Sequence, residues 1–425
     1  MLIHIAEPGE TAYGIAARYG VSPARLLADN GLSASDTLVV GQALLVLIPA
    51  GVYTVQPGDT LYSIANAAGT SVLALVQNNP YLTAADTLRP GEELVLRYTG
   101  GKRRTVCTTG YAYPSINRHV LYRALPYLSR LTVFGYGFTE DGALIGIDDA
   151  PLIEAARAFG AAPVMLLSSI TESGNFNSAR ASRLFNDAAL QATVLDNVLT
   201  AMREKGYAGL DIDFEYIDPA DREAFVAFVA AAVEKLSPYG YFVNTDLVPK
   251  TSAAQAGLLY EAHDYAALGA ASDTLFLMTY EWGYTYGPPM AVAPIDRVRR
   301  VADYAVSEID PAKLLLGIPT FGIDYTKTAN GYRKRAADAA RLCGLQPPAA
   351  VTFDPVSRTP CAAYTEESHH FPLEHRLCYE DANSFVSKLG LADKLSLGGV
   401  SICSLAYDAP LLWQLLNQTY SVVKY

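Results

Sequence analysis

From residue 105 to residue 405 the chain repeats one pattern eight times: a short β-rich segment, then a stretch with apolar residues at helical spacing. The β-rich segments are Thr105–Tyr111, Leu131–Tyr136, Pro163–Ser168, Gly209–Glu215, Tyr241–Leu247, Thr274–Tyr280, Lys313–Phe321 and Gly398–Leu405. Ala188–Lys205 and Asp221–Lys235 are clear helical stretches between them. Strands joined through helices pair in parallel, and eight of them predict a closed (β/α)8 barrel, an α/β fold, rather than an open sheet. The connection from Asp324 to about Arg376 is longer than a link needs, and a small α+β insertion is expected there.

The fourth segment is unlike the others. Along Leu210–Asp211–Ile212–Asp213–Phe214–Glu215–Tyr216, acidic and apolar residues alternate with a period of two. A β-strand sends Asp211, Asp213 and Glu215 to one face and the apolar residues to the other. Three carboxylates on one face of so apolar a strand repel each other and resist desolvation. A solvated edge strand would mix both charge signs, and a calcium loop would carry a glycine and ligand spacing missing here. A catalytic strand is the better reading. At about 3.3 Å per residue Asp211 lies about 13 Å below Glu215, so Glu215 sits at the strand's C-terminal end, where barrels place their chemistry. The two deeper aspartates are expected to share a proton, and the charge beneath Glu215 to raise its pKa, as a general acid requires.

The chain has 425 residues, 51% hydrophobic and 18% charged, enough for a large core and two or three domains. No apolar run reaches membrane-spanning length, and the start lacks the basic-then-apolar order of a Sec-type signal peptide. A net charge of −11 argues against nucleic acid or an anionic membrane as partner. A monomer needing no cofactor is expected. Five cysteines, an odd number without a CxxC pair, read as reduced, mostly buried thiols rather than a disulfide framework. Cys361, His369, His370, His375 and Cys378 cluster loosely, but their spacing fits no common zinc motif; a polar surface loop is the reading, and no metal is expected.

The first hundred residues contain a repeat. Glu7-Pro-Gly-Glu-Thr-Ala-Tyr-Gly-Ile-Ala-Ala recurs as Gln56-Pro-Gly-Asp-Thr-Leu-Tyr-Ser-Ile-Ala-Asn, and Asn30 recurs as Asn79. Each copy reads as a strand, two short helices and a closing strand, with Thr11 and Thr60 as helix N-caps and Asp86 in a turn. Cores this small call for tandem packing or a flexible join. The repeat resembles the LysM domain, most closely in the second copy; the first departs at Glu10 and Ala12. The resemblance implies binding to glycans containing N-acetylglucosamine, such as peptidoglycan or chitin. Boundaries of 1–49 and 52–98 are expected for the two modules and 103–425 for the barrel. Lys102, Arg103 and Arg104 read as a solvated linker.

Gly209–Glu215 resembles the signature of glycoside hydrolase family 18, Asp-Gly-x-Asp-x-Asp-x-Glu, with Ala208 in place of the first Asp. That departure bears on fine pKa tuning. Leu277-Met-Thr-Tyr-Glu-Trp resembles the family's Met-x-Tyr-Asp segment. With Leu247-Val-Pro-Lys-Thr and Gly287-Pro-Pro-Met-Ala-Val-Ala-Pro, it is similar to the LysM-bearing branch of spore cortex fragment-lytic enzymes. The resemblance implies a retaining glycosidase acting on peptidoglycan, associated with spore or cell wall. A chitinase or a non-catalytic glycan-binding barrel is the alternative. It further implies that the substrate's own acetamido oxygen attacks C1 while Glu215 protonates the leaving oxygen. Asp213 would orient the acetamido N–H, Asp211 hold Asp213, and Tyr280 donate to the acetamido oxygen. Tyr111, Asp246 and Glu281 are candidates for sugar contacts, though Asp246 and Glu281 also suit structural hydrogen bonding. Trp282, Tyr284 and Tyr286 suit stacking on sugar rings. Cys403 stands where the family often places a Trp, giving a smaller floor, and Cys378 where an aromatic is common; with no evident histidine partner, Cys403 is expected to pack rather than attack.

Overall fold

The computed structural model describes residues 1–425 apart from 83–86, 172–173, 284–286, 338–341, 343–344, 346–348 and 368–371. Eight strands close the barrel: Arg104–Ala112, Arg130–Phe138, Ala162–Ser168, Gly209–Asp213, Phe242–Leu247, Thr274–Leu277, Leu314–Pro319 and Gly399–Cys403. Each pairs in parallel with the next, and the first pairs with both the second and the eighth. The eight expected segments are these strands, but the fourth, sixth, seventh and eighth end two or three residues early. Glu215 lies two residues beyond the fourth and Tyr280 three beyond the sixth. The next residue in each case, Tyr216 (φ 55°) and Glu281 (φ 60°), takes a left-handed conformation that turns the chain off the sheet.

The helix Ala188–Lys205 shows how the outer layer forms. Asp187 caps it by accepting from the backbone of Ala189 and Leu190, and Gly206 ends it at φ 76°. Its buried face, Leu190, Val194, Leu195, Val198, Leu199 and Met202, follows the helical period. Gly209 then opens the fourth strand where a Cβ would meet the Phe242 ring at 2.5 Å, so this motif glycine serves close packing.

The insertion follows the seventh strand as a five-stranded antiparallel sheet, ordered Gly331–Ala337, Gly322–Thr328, Leu373–Cys378, Thr359–Glu366, Ala350–Asp354. Its described residues hold no α-helix where α+β was expected. Cys361 and Cys378 are directly paired across two of its strands and joined by a disulfide, correcting the expectation of reduced thiols. Sequence spacing could not reveal that register. The same bond takes two members out of the loose Cys/His cluster; His375 is buried against Asp324, and His369 and His370 lie outside the described residues.

Each N-terminal module is a two-stranded antiparallel sheet, Leu2–Ile5 with Ala43–Val46 and Pro49–Thr54 with Glu93–Tyr98, enclosing two short helices. Thr11 and Thr60 cap the first helix of each. The repeated asparagines do one job twice: Asn30 bridges the backbone of Leu26 and Leu45, Asn79 that of Leu75 and Val95. Glu10, a departure in sequence, closes the same turn as Asp59: each accepts from the backbone three residues earlier, and His4 backs one where Tyr53 backs the other. Asp86 lies outside the described residues.

The modules are packed together and onto the barrel. Buried Arg25 of the first bonds Asn79 of the second at 2.8 Å, while Gln77 donates to the Pro126 carbonyl of the barrel. Lys102, Arg103 and Arg104 are not a solvated linker. Arg103 and Arg104 both pair with Asp393, and Lys102 donates to Asn417.

Candidate active site

A cavity of about 330 Å³ opens at the C-terminal end of the barrel strands. Its floor and one wall carry the acids. Asp211 and Asp246, from the fourth and fifth strands, form a lower tier, 1% and 2% exposed. The Tyr111 hydroxyl lies 2.6 Å from Asp211 and 3.0 Å from Asp246. Asn244 donates to both, at 2.6 and 3.1 Å, and Thr132 donates to Asp211. Burial, then the charges of Asp211 and Asp213, hold Asp246 well above the usual carboxylate range. Asp246 also lines the cavity, and Tyr111, Asn244 and Thr132 tie the two acids into one buried network.

Asp213 sits above it, 4% exposed, and its Oδ1 has no hydrogen-bond partner among the described residues. Burial raises its pKa strongly, and the charges of Glu215 and Asp211 add to this. Asp211 acts on Asp213 through charge; its hydrogen bonds go to Tyr111, Asn244 and Thr132, and none joins it to Asp213 among the described residues, where the two were expected to share a proton. Glu215 is half-buried at the cavity rim. Burial raises its pKa, followed by the charge of Glu281. The expected influence from beneath is replaced by one from across the mouth.

Tyr280 lines the cavity beside Cys403, and burial raises both groups, the thiol to about 12. A thiol so held is neutral, as packing requires and a nucleophile does not. Glu281 is exposed and lines the cavity. Trp282 is turned aside: its indole donates to the Thr279 carbonyl and its ring faces Arg297. Tyr284 and Tyr286 lie outside the described residues. Tyr111 is 4% exposed, its hydroxyl committed to the lower tier. Ala208 lies at the opposite end of the barrel, in a hollow with Pro163 and Phe242. About 20 Å of strand separates it from Glu215, so its identity has no bearing on the tuning of the acid.

Several cavity residues escaped the sequence reading. Tyr113, Phe134, Phe321 and Tyr407 form an aromatic wall contributed by four different loops or strands. Asn244, the amide that donates to Asp211 and Asp246, was missed as well.

Comparisons with known proteins agree with this geometry. The model of glycosyl hydrolases family 18 matches residues 161–408, and the LysM domain model matches 4–46 and 53–97. The chain is 33% identical to a cortical fragment-lytic enzyme of Bacillus anthracis, over 98% of this chain and 97% of that one. The crystal structure of the Bacillus cereus spore cortex-lytic enzyme SleL superposes with a TM-score of 0.82 at 32% identity, covering 100% of this chain and 98% of that one. A chitinase from Chromobacterium violaceum shares the fold, with a TM-score of 0.67 at 22% identity over 74% of this chain and 98% of its own. Carboxylates stacked on the fourth strand of a parallel barrel, matched over more than half the chain by one family model, place this protein among the glycoside hydrolases of family 18, with two LysM domains at its N-terminus.

Proposed function

We propose that the protein is a retaining glycosidase that cleaves N-acetylglucosaminyl bonds of spore cortex peptidoglycan, held on its polymer by the two N-terminal modules. The observation that carries the mechanism is Asp213: a buried carboxyl group with an oxygen that has no partner among the described residues, lining the same cavity as Glu215. A second carboxylate placed as nucleophile is what most glycosidases use, but Asp213 is too deep for that. The substrate's 2-acetamido oxygen attacks C1 instead. The C1–O bond to the leaving sugar breaks as Glu215, kept protonated by burial and Glu281, delivers its proton to that oxygen. Asp213 accepts the acetamido N–H and stabilises the cyclic oxazolinium ion; Tyr280 donates to the acetamido oxygen. Glu215, now ionised, takes a proton from water, which attacks C1 from the face the leaving group vacated and retains configuration.

The docked modules keep a weak polymer contact in fixed relation to the cleft and raise the local concentration of enzyme on an insoluble substrate. This reading puts the protein at the spore or the cell wall. Release of new reducing ends from purified cortex fragments tests it. Glu215→Gln is expected to reduce kcat by about 10²–10⁴-fold, the range for loss of a general acid. Turnover equal to wild type would overturn the mechanism.

A further inference from the structure

A cation that the mechanism leaves unused lies inside the barrel. Arg130 opens the second strand and shares its inward face with Thr132, which donates to Asp211. It is 8% exposed, and no carboxylate pairs with it among the described residues. A buried guanidinium without an anion is uncommon, because the cost of taking its charge out of water is not offset by an opposite charge. Two contacts hold it. Its Cζ lies 3.8 Å from the centre of the Phe242 ring, the ring for which Gly209 leaves room, and the electron-rich face of that ring attracts the cation. Its Nη1 donates to the Thr274 hydroxyl at 2.9 Å, across the barrel from the second strand to the sixth.

From there the contacts climb toward the acids. The Thr274 hydroxyl donates to Asn244 Oδ1 at 2.9 Å, the two residues being register partners on the sixth and fifth strands. The Asn244 amide nitrogen then donates to Asp211 at 2.6 Å and to Asp246 at 3.1 Å. The donors and acceptors give this chain one direction. A guanidinium has donors alone, so the hydroxyl oxygen accepts from Arg130 and its single proton is left for Asn244. An amide that accepts at its oxygen turns its N–H groups the other way, toward the two acids. Reversing the amide would set its oxygen against both carboxyl groups and take away the acceptor of the hydroxyl proton.

We infer that Arg130, at the end of the barrel opposite the cavity, is a positioning residue for the catalytic acids: through Thr274 it fixes the Asn244 amide with its donors toward Asp211 and Asp246. The network beneath Asp213 is thereby held in one arrangement. Arg130 touches neither acid; it acts through hydrogen bonds in series, each orienting the next. With the chain cut, the amide is free to turn, and Asp211, whose charge acts on Asp213, loses a donor. This rests on the glycosidase reading above and adds to it what keeps its acids in place.

The test begins at Thr274, where two substitutions separate hydrogen bonding from packing. Thr274→Val keeps the shape and removes the hydroxyl; Thr274→Ser keeps the hydroxyl and removes the methyl group. In the full chain on cortex fragments, Thr274→Val should lower kcat per folded molecule about tenfold with KM within about twofold, while Thr274→Ser stays within about twofold of wild type. Packing alone gives the reverse order, and that order overturns the proposal, as does wild-type turnover in Thr274→Val. Arg130→Met keeps a long side chain over Phe242 and should match Thr274→Val. The double variant should be no slower than either single one, because both cut the same chain; losses that multiply overturn it. A further measurement needs no turnover. With isotope-labelled asparagine, the side-chain N–H signals of Asn244 should move in Thr274→Val and Arg130→Met and stay in place in Thr274→Ser. Signals that stay in place in all of them overturn the chain whatever the rates. If the wild-type protein releases no reducing ends, the glycosidase reading falls by itself, and the amide signals still decide on Arg130.

Discussion

The two tiers of carboxylates in the barrel are made of the same chemistry and treated in opposite ways. Asp211 and Asp246 are among the most deeply buried acids of the molecule, yet hydroxyl and amide donors from Tyr111, Asn244 and Thr132 surround them. Asp213, one pleat above Asp211, is almost as buried and keeps an oxygen with no partner among the described residues. Burying a polar group without a hydrogen bond costs free energy, and burying a charge costs more. A fold that compensates one tier and leaves the next bare is holding the second for something that arrives later. In the proposed mechanism the Asp211 network serves as scaffold, and the oxygen of Asp213 is where substrate completes the hydrogen bonding.

The comparison breaks first at Asp213. Asp213→Asn should lower kcat by about 10²-fold or more, as loss of a preorganised electrostatic partner does, and at the same time stabilise the free enzyme. The sign follows from its raised pKa. Below about pH 4 the residue is protonated in both folded and unfolded chains and costs nothing; as the pH rises above that, ionisation is easier in the unfolded chain, and native stability falls. The variant should therefore gain about 1–3 kcal/mol at neutral pH, with the gain vanishing at acid pH, measured by denaturant unfolding at several pH values. A loss of both stability and activity would mean Asp213 is scaffold after all.

Tyr111→Phe probes the lower tier and should show the reverse balance. Removing the hydroxyl leaves Asp211 short of a donor, costing about 1–3 kcal/mol of stability. The acid itself is untouched, so kcat should fall by about tenfold or less with KM unchanged. A 10²-fold loss without destabilisation would place Tyr111 against the substrate instead.

How much of this was legible follows from the range of the interactions. Alternation along Leu210–Tyr216 is local, and so are the eight strand patterns and the Thr11 and Thr60 caps; all were readable without coordinates. The motif reading of Ala208 misled because neighbours in sequence along a strand are separated in space by its full rise. The aromatic wall of Tyr113, Phe134, Phe321 and Tyr407, and the Cys361–Cys378 pairing, depend on loops and registers that meet only after the chain closes. Asn244 was hidden differently: an amide on a strand looks like neutral filler until Asp211, on the adjacent strand, is seen opposite it.

Glu281 was the least legible part, since nothing in the sequence says that a residue after the sixth strand acts on one after the fourth. The smallest effect should come here. Its charge is the second cause, after burial, of the raised pKa of Glu215. In the proposed mechanism Glu215 works as an acid, which requires it protonated in the free enzyme, so activity should be lost as the pH rises through its pKa. Glu281→Gln removes a neighbouring negative charge, lets Glu215 ionise more readily, and so should move the alkaline limb of kcat/KM toward lower pH. The acid limb and the plateau should stay where they are, because the burial that supplies most of the shift is unchanged. Glu281→Asp keeps the charge and should leave the limb near its wild-type position. If both substitutions lower the plateau and leave the limb in place, Glu281 acts by touching sugar, and Glu215 is held protonated by burial alone.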